Sequence, residues 1–174
     1  MSLNYGSKAI LGILHQCPNI GKTALMKAIY LLQQVKKMNI GYQFGIYLYG
    51  PYAADVVEDI DRLIQAGLID SIMSKYPSYV GYEMKLSQRG EEELGSLSEA
   101  DIANISGIAS FIKGKSVKNL ELYSTIVFIR ALYSDNKLPS TDNEIISKVH
   151  EIKPHFSIDL IREYCKELEE IGFI

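Results

Sequence analysis

The run Gly21-Lys22-Thr23 is the nearest the chain comes to phosphate chemistry. A Walker A loop also needs a glycine five residues before Gly21 and a strand leading into the loop. Gln16 stands at that position and the preceding residues read as a helix, so the run is read as a helix start. His15 and Cys17 lie two apart, but structural zinc takes paired ligands from two places in a chain, and Cys165 stands alone. His150 and His155 flank Pro154 with no cysteine nearby. Asp55 and Asp59 fall one helical turn apart and could ligate a metal or share a proton. Acids are favoured near a helix N-terminus, however, and Glu58–Arg62 is a supportive i,i+4 pair, so a solvated acidic face is the favoured reading. No nucleophile, base and orienting group converge. The expectation is a protein that is not an enzyme, with no catalytic residue, no cofactor and no metal.

The elements that would position these residues read as follows. A helix is predicted over 7–16, with Ser7 as N-cap and Ile10, Leu11, Ile13 and Leu14 inward. Cys17-Pro18-Asn19-Ile20-Gly21 breaks it, and a second helix follows over 22–37. Leu25, Ile29 and Leu32 set its apolar face, with Lys22, Lys27, Lys36 and Lys37 reaching water. Residues 42–49 are aromatic and partly alternating, as in a strand, and Gly50-Pro51 ends it. Pro51 suits the first turn of a third helix over 52–66, closed by Gly67. A strand over 68–73, a turn at Lys75-Tyr76-Pro77-Ser78, a strand over 79–86 and a helix capped by Ser87 follow. Three helices followed directly by a hairpin are the order of a helix-turn-helix with a wing.

Beyond residue 97 the pattern is helical: 99–112, the strongly apolar 119–132, a helix to 151 capped by Thr141 or Asp142, and 158–170 capped by Ser157. The tail Leu168-Glu-Glu-Ile-Gly172-Phe-Ile174 repeats Leu63-Ile-Gln-Ala-Gly67-Leu-Ile69, and Val56 aligns with Ile161. The fold class expected is mostly α with a small β-hairpin (α+β): a winged-helix N-terminal domain over 1–97 and an all-helical C-terminal domain over 98–174, winged-helix-like if the repeated ending is a duplication and plainly helical if it is only a common helix stop.

The 174 residues are 47% hydrophobic and 22% charged, enough for a real core. No apolar run reaches the ~20 residues of a membrane span. The first residues do not read as a signal peptide and two distant cysteines make no disulfide framework, so a cytoplasmic protein is expected. The net charge of −3 is unevenly spread. Residues 1–54 hold five lysines and no acid, whereas 96–174 hold nine basic and twelve acidic residues.

Two working modes emerge. A winged helix that reads DNA lays its third helix in the major groove and pins phosphates with basic side chains. Here that helix carries four acids, leaving Lys22, Lys27, Lys36 and Lys37 as candidate phosphate contacts and DNA as the alternative partner. Tyrosines crowd residues 42–82, and tyrosine is favoured both in strands and at protein interfaces. Tyr47, Tyr49, Tyr52 and Tyr76, with Asp55, Glu58 and Asp59, form the candidate protein interface, to a charge-matched partner or a second copy of the chain. Protein binding is favoured.

The stretch Lys22-Thr-Ala-Leu-Met-Lys-Ala-Ile-Tyr-Leu-Leu-Gln33, then Phe44-Gly-Ile-Tyr-Leu-Tyr-Gly-Pro-Tyr52, resembles the YwgA-type family of bacterial and archaeal proteins. The tail Glu151-Ile-Lys-Pro-His-Phe-Ser157 is similar to that family's C-terminal segment. More distantly, the chain resembles the Panacea (SocA-like antitoxin) superfamily. That likeness implies a winged-helix fold and, for the Panacea relatives, toxin neutralisation by direct binding or an adaptor role. It supplies no catalytic residues.

Overall fold

The computed structural model describes residues 3–75, 77 and 80–174; Tyr76 and Tyr79 lie outside them. The order of elements is α1 (Tyr5–Gln16), β1 (Ile20–Gly21), α2 (Lys22–Val35), β2 (Gly45–Tyr47), β3 (Gly50–Tyr52) and α3 (Ala54–Gln65). Then come β4 (Ile69–Lys75), β5 (Val80–Leu86), α4 (Gln88–Glu92) with a 3-10 turn, α5 (Glu99–Ile112), α6 (Val117–Asp135), α7 (Asp142–Ile152) and α8 (Ile158–Glu170). The chain is therefore mostly helical, with small antiparallel sheets, an α+β arrangement.

Helix starts follow local side-chain chemistry. The Asn4 side chain, not Ser7, caps α1 and accepts the Ser7 N–H at 2.6 Å, so the helix starts earlier than expected. Ser98 and Thr141 cap α5 and α7 in reciprocal capping boxes with Asp101 and Glu144. Ser116 and Ser157 cap α6 and α8. The ends of α3 and α8 are built alike. Gly67 (φ +70) and Gly172 (φ +71) adopt the left-handed conformation, and Leu68 and Phe173 send their N–H groups back to the carbonyls of Leu63 and Leu168.

Helix α2 is the axis of the first half. Every residue from Ala24 to Leu32 is buried, because α1, α5, α6 and β3 surround it. Helix α6 is its counterpart, buried from Leu120 to Val127 and packed on α2, α7, α8 and β3. One contiguous apolar cluster joins Ile10, Leu25 and Ile60 to Ile126, Val149 and Leu168.

The strand expected over 42–49 is instead a short hairpin, because the backbone of Tyr42 is engaged elsewhere. The Gln33 side chain accepts its N–H at 3.0 Å and donates to its carbonyl at 2.8 Å. Strand β2 begins only at Gly45 and pairs with β3 in the register Gly45↔Tyr52, Ile46↔Pro51, Tyr47↔Gly50. Pro51 is thus a strand residue rather than a helix start, and α3 begins at Ala54. The second sheet has the order β1-β5-β4, with Ile20 opposite Met84 and a β4–β5 hairpin from Ile69↔Leu86 to Lys75↔Val80. Among the described residues no helix is long and apolar enough to cross a membrane.

Candidate functional site

The β2–β3 hairpin carries the most exposed apolar side chains of the molecule's described residues, on a backbone held from beneath. Leu48 is 83% exposed, between Tyr47 and Tyr49 at 63% and 65%. Gly50 closes the turn at φ +89, and a Cβ there would sit 3.1–3.3 Å from Thr125 Oγ1, the Glu121 carbonyl and Ser124 Oγ. Both the backbone conformation and the close approach to α6 require glycine.

Two buried lysines grip the hairpin's carbonyls. Lys27 in α2 donates from Nζ to the Pro51 carbonyl at 2.7 Å. Lys153, just after α7, donates to the Tyr47 carbonyl at 3.1 Å and also to that of Leu48. Glu121 of α6 lies alongside, its Oε1 2.8 Å from Lys153 Nζ and 3.5 Å from His155 Nε2. Among the described residues Oε1 accepts no well-aligned hydrogen bond, so the contact with Lys153 is an ion pair held by charge rather than by direction. Lys27, Lys153 and Glu121 are all buried. Burial lowers the Lys27 pKa to about 8; Glu121 opposes that shift and Lys153 adds to it.

A cavity of about 340 Å³ opens between the hairpin and the start of α2. Met26, Val57, Tyr47 and Tyr52 wall it, and Lys22 and Lys27 line it. The Tyr47 and Tyr52 rings meet edge-on, with centroids 5.2 Å apart. Lys22 also pairs with Asp61 of α3 at 3.1 Å.

Tyr47, Tyr49, Tyr52, Lys22 and Lys27 therefore converge on one site. Lys27 is a correction: it is buried rather than on a wet face, because α6 and the hairpin cover the face of α2 expected to be polar, and it borders only the cavity beneath the hairpin. The expected acidic face divides. Asp55 and Glu58 are exposed, Glu58 pairing with Arg62 at 3.0 Å. Asp59, expected on a solvated face, is 4% exposed. It accepts from Tyr42 Oη at 2.7 Å, from Asn4 at 3.1 Å and from Arg62 at 2.9 Å. Burial and that bond to Asp59 push the Tyr42 hydroxyl well above its ordinary pKa. These acids line a recess on the other side of α3. Lys36 and Lys37 sit past the far end of α2, with the Lys36 ammonium 5.5 Å from the Phe173 ring centroid. Tyr76 lies outside the described residues.

The residues that sequence reasoning missed are Glu121 and Lys153. Lys153 stood in a segment read for its likeness to relatives and for the histidines flanking Pro154. Of the other reactive side chains, Cys165 is buried, which raises its thiol pKa to about 11, and His15 contacts Glu91 at 2.8 Å.

The chain is similar to a protein of Bacillus subtilis (strain 168) that carries the name Uncharacterized protein YwgA. The two are 25% identical over 154 residues, covering 87% of this chain and 89% of the relative. No family model matches the sequence. The likeness therefore runs nearly the length of both chains.

Proposed function

We propose that this protein is a regulatory or adaptor protein without enzymatic activity, acting by protein binding through the tip of the β2–β3 hairpin on a winged-helix scaffold. The observation that carries this reading is the exposure of Tyr47, Leu48 and Tyr49 on a backbone fastened by Lys27 and Lys153. A preorganised turn loses little freedom on docking, and tyrosine offers contact area at low entropic cost. The winged-helix assignment rests on element order. A strand between the first two helices pairs with the last strand of the wing, which is the sheet order β1-β5-β4. Residues 1–97 would form that unit and 98–174 a helical unit packed on it. Neutralising a toxin by direct contact is one form such binding could take.

The test is capture of partners from a lysate of the native cell by wild type and by the double variant Leu48→Asp/Tyr49→Ser. Loss of a specific partner at unchanged thermal stability supports the reading. Equal capture by both proteins refutes it. A parallel Asp55→Lys/Glu58→Lys variant asks whether the exposed acids of α3 share in the contact.

DNA binding is the second reading, favoured by the same sheet order. Against it, α3 exposes Asp55, Glu58 and Asp61, Lys27 is buried and Lys22 is paired. Fluorescence anisotropy of a random duplex at ~50 and ~200 mM salt decides it, since phosphate contacts make affinity fall steeply with salt.

A further inference from the structure

We propose that the cavity between the start of α2 and the β2–β3 hairpin binds a small organic anion, a monocarboxylate with an aromatic or branched apolar body. At about 340 Å³ the space lies at the lower end of the range of small-molecule sites, roughly 300–1,000 Å³. Its walls are apolar and aromatic: Met26, Val57, Tyr47 and Tyr52. The charged groups that line it, Lys22 and Lys27, have one sign. Lys27 has three N–H groups, and among the described residues its one hydrogen bond goes to the Pro51 carbonyl. The first turn of α2 adds to the positive field, for Gly21 offers its amides no side-chain cap and no acid stands there.

The charges facing Lys27 leave an excess to be neutralised. Glu121 from α6 is the buried carboxylate, and it is shared with Lys153 after α7 and approached by His155. Asp61 from α3 is engaged by Lys22 at the rim, and the hairpin contributes tyrosines. Two buried ammoniums thus share one buried carboxylate. An anion arriving from the cavity side supplies the missing charge, while its apolar body covers the tyrosines.

This assignment is independent of whether the hairpin tip docks a protein. It predicts linkage to protons. A bound carboxylate stabilises the charged form of Lys27, which burial brings to half-deprotonation near pH 8. Binding should take up a fraction of a proton near pH 8 and weaken as pH rises beyond it.

The experiment is isothermal titration of the full chain with 3-phenylpropionate, and with 3-phenylpropanamide as its uncharged counterpart, at about pH 6.5 and about pH 9.5. The expected result is saturable binding of the carboxylate at the lower pH, weaker by about tenfold at the higher pH and for the amide. Met26→Trp, which fills the cavity, should abolish binding, and Lys27→Met should remove the preference for carboxylate over amide. If Lys27→Met does not fold, the pH dependence and the amide comparison on wild type decide alone. No saturation by about 10 mM, equal binding of acid and amide, affinity independent of pH, or binding retained in Met26→Trp each overturns the proposal.

Discussion

Replacing Glu121 by glutamine keeps the shape of the side chain and removes its charge. The ion pair with Lys153 is 2.8 Å long, and the exposures of its side chains are 3% and 7%. At that separation two unit charges attract by roughly 6 kcal/mol at an effective dielectric constant of about 20. Glutamine can still accept a hydrogen bond from Lys153 and recovers part of this. What remains is two buried ammoniums, Lys27 and Lys153, with no buried counter-charge beside them, and breaking such a pair typically costs about 3–5 kcal/mol. For a chain of this size that corresponds to a fall in Tm of roughly 10 °C. Urea denaturation of wild type and Glu121→Gln at about pH 7 measures the difference directly. Repeating it at about pH 9.5 adds a signature of mechanism. Lys27 should lose its proton more readily in the variant, because the carboxylate that favours its charged form is gone. The gap between the two proteins should therefore narrow with rising pH. A variant within about 1 kcal/mol of wild type at neutral pH would refute the account of Glu121 as the charge that holds both lysines.

In wild type, the Lys27 pKa of about 8 lies below its ordinary 10.5, so between those values the unfolded chain keeps a proton that the folded chain has released. Stability should consequently rise with pH over that window by up to about 3 kcal/mol, an increment absent from Lys27→Met when the two denaturation series are subtracted. Gly50→Val should destabilise by about 1–3 kcal/mol in the same assay, since φ is +89 and the new side chain meets Thr125 and Ser124; wild-type stability would show that the turn relaxes freely. Tyr42→Phe should cost about 1–3 kcal/mol by removing a donor to the buried Asp59 carboxylate, and a neutral result would mean that Asn4 and Arg62 suffice.

Helix boundaries were most legible where capping chemistry is local. The helices read over 99–112 and 158–170 are found at those limits, because Ser98 and Ser157 accept the amide three residues on. Helix α6 proved longer than the 119–132 expected: Ser116 caps it and it runs on to Asp135. The shared ending of α3 and α8 was visible as a repeated sequence, since a left-handed glycine and its flanking apolar residues leave a linear trace. Lys27 was misplaced because helical periodicity assumes one wet face, whereas α2 is enclosed on all sides. Its sequence from Ala24 to Leu32 is apolar around nearly the whole circumference, which is the mark of an enclosed helix. Asp59 was misplaced for the converse reason. Three acids of α3 do face water, and only the distant Tyr42 hydroxyl and Asn4 amide distinguish the fourth.

The pairing of Lys153 with Glu121 had no such trace, being a contact between α6 and the end of α7 that exists only once the chain is folded. Its energetics bear on what the hairpin is for. Apolar side chains of similar volume often replace buried ion pairs with no loss of stability, so burying two lysines and a glutamate is a poor way merely to fasten a turn. The ammoniums do something a methionine could not: they hold the carbonyls of Tyr47, Leu48 and Pro51, and thereby fix the outward display of three apolar side chains. They also leave positive charge beneath an aromatic-walled cavity. A protein-binding tip and an anion-binding pocket would draw on the same cluster, since Tyr47 and Leu48 both line the cavity and present the tip. An anion seated against Lys27 would use the donors that Pro51 leaves free, so the one cluster could hold the hairpin and the anion at once.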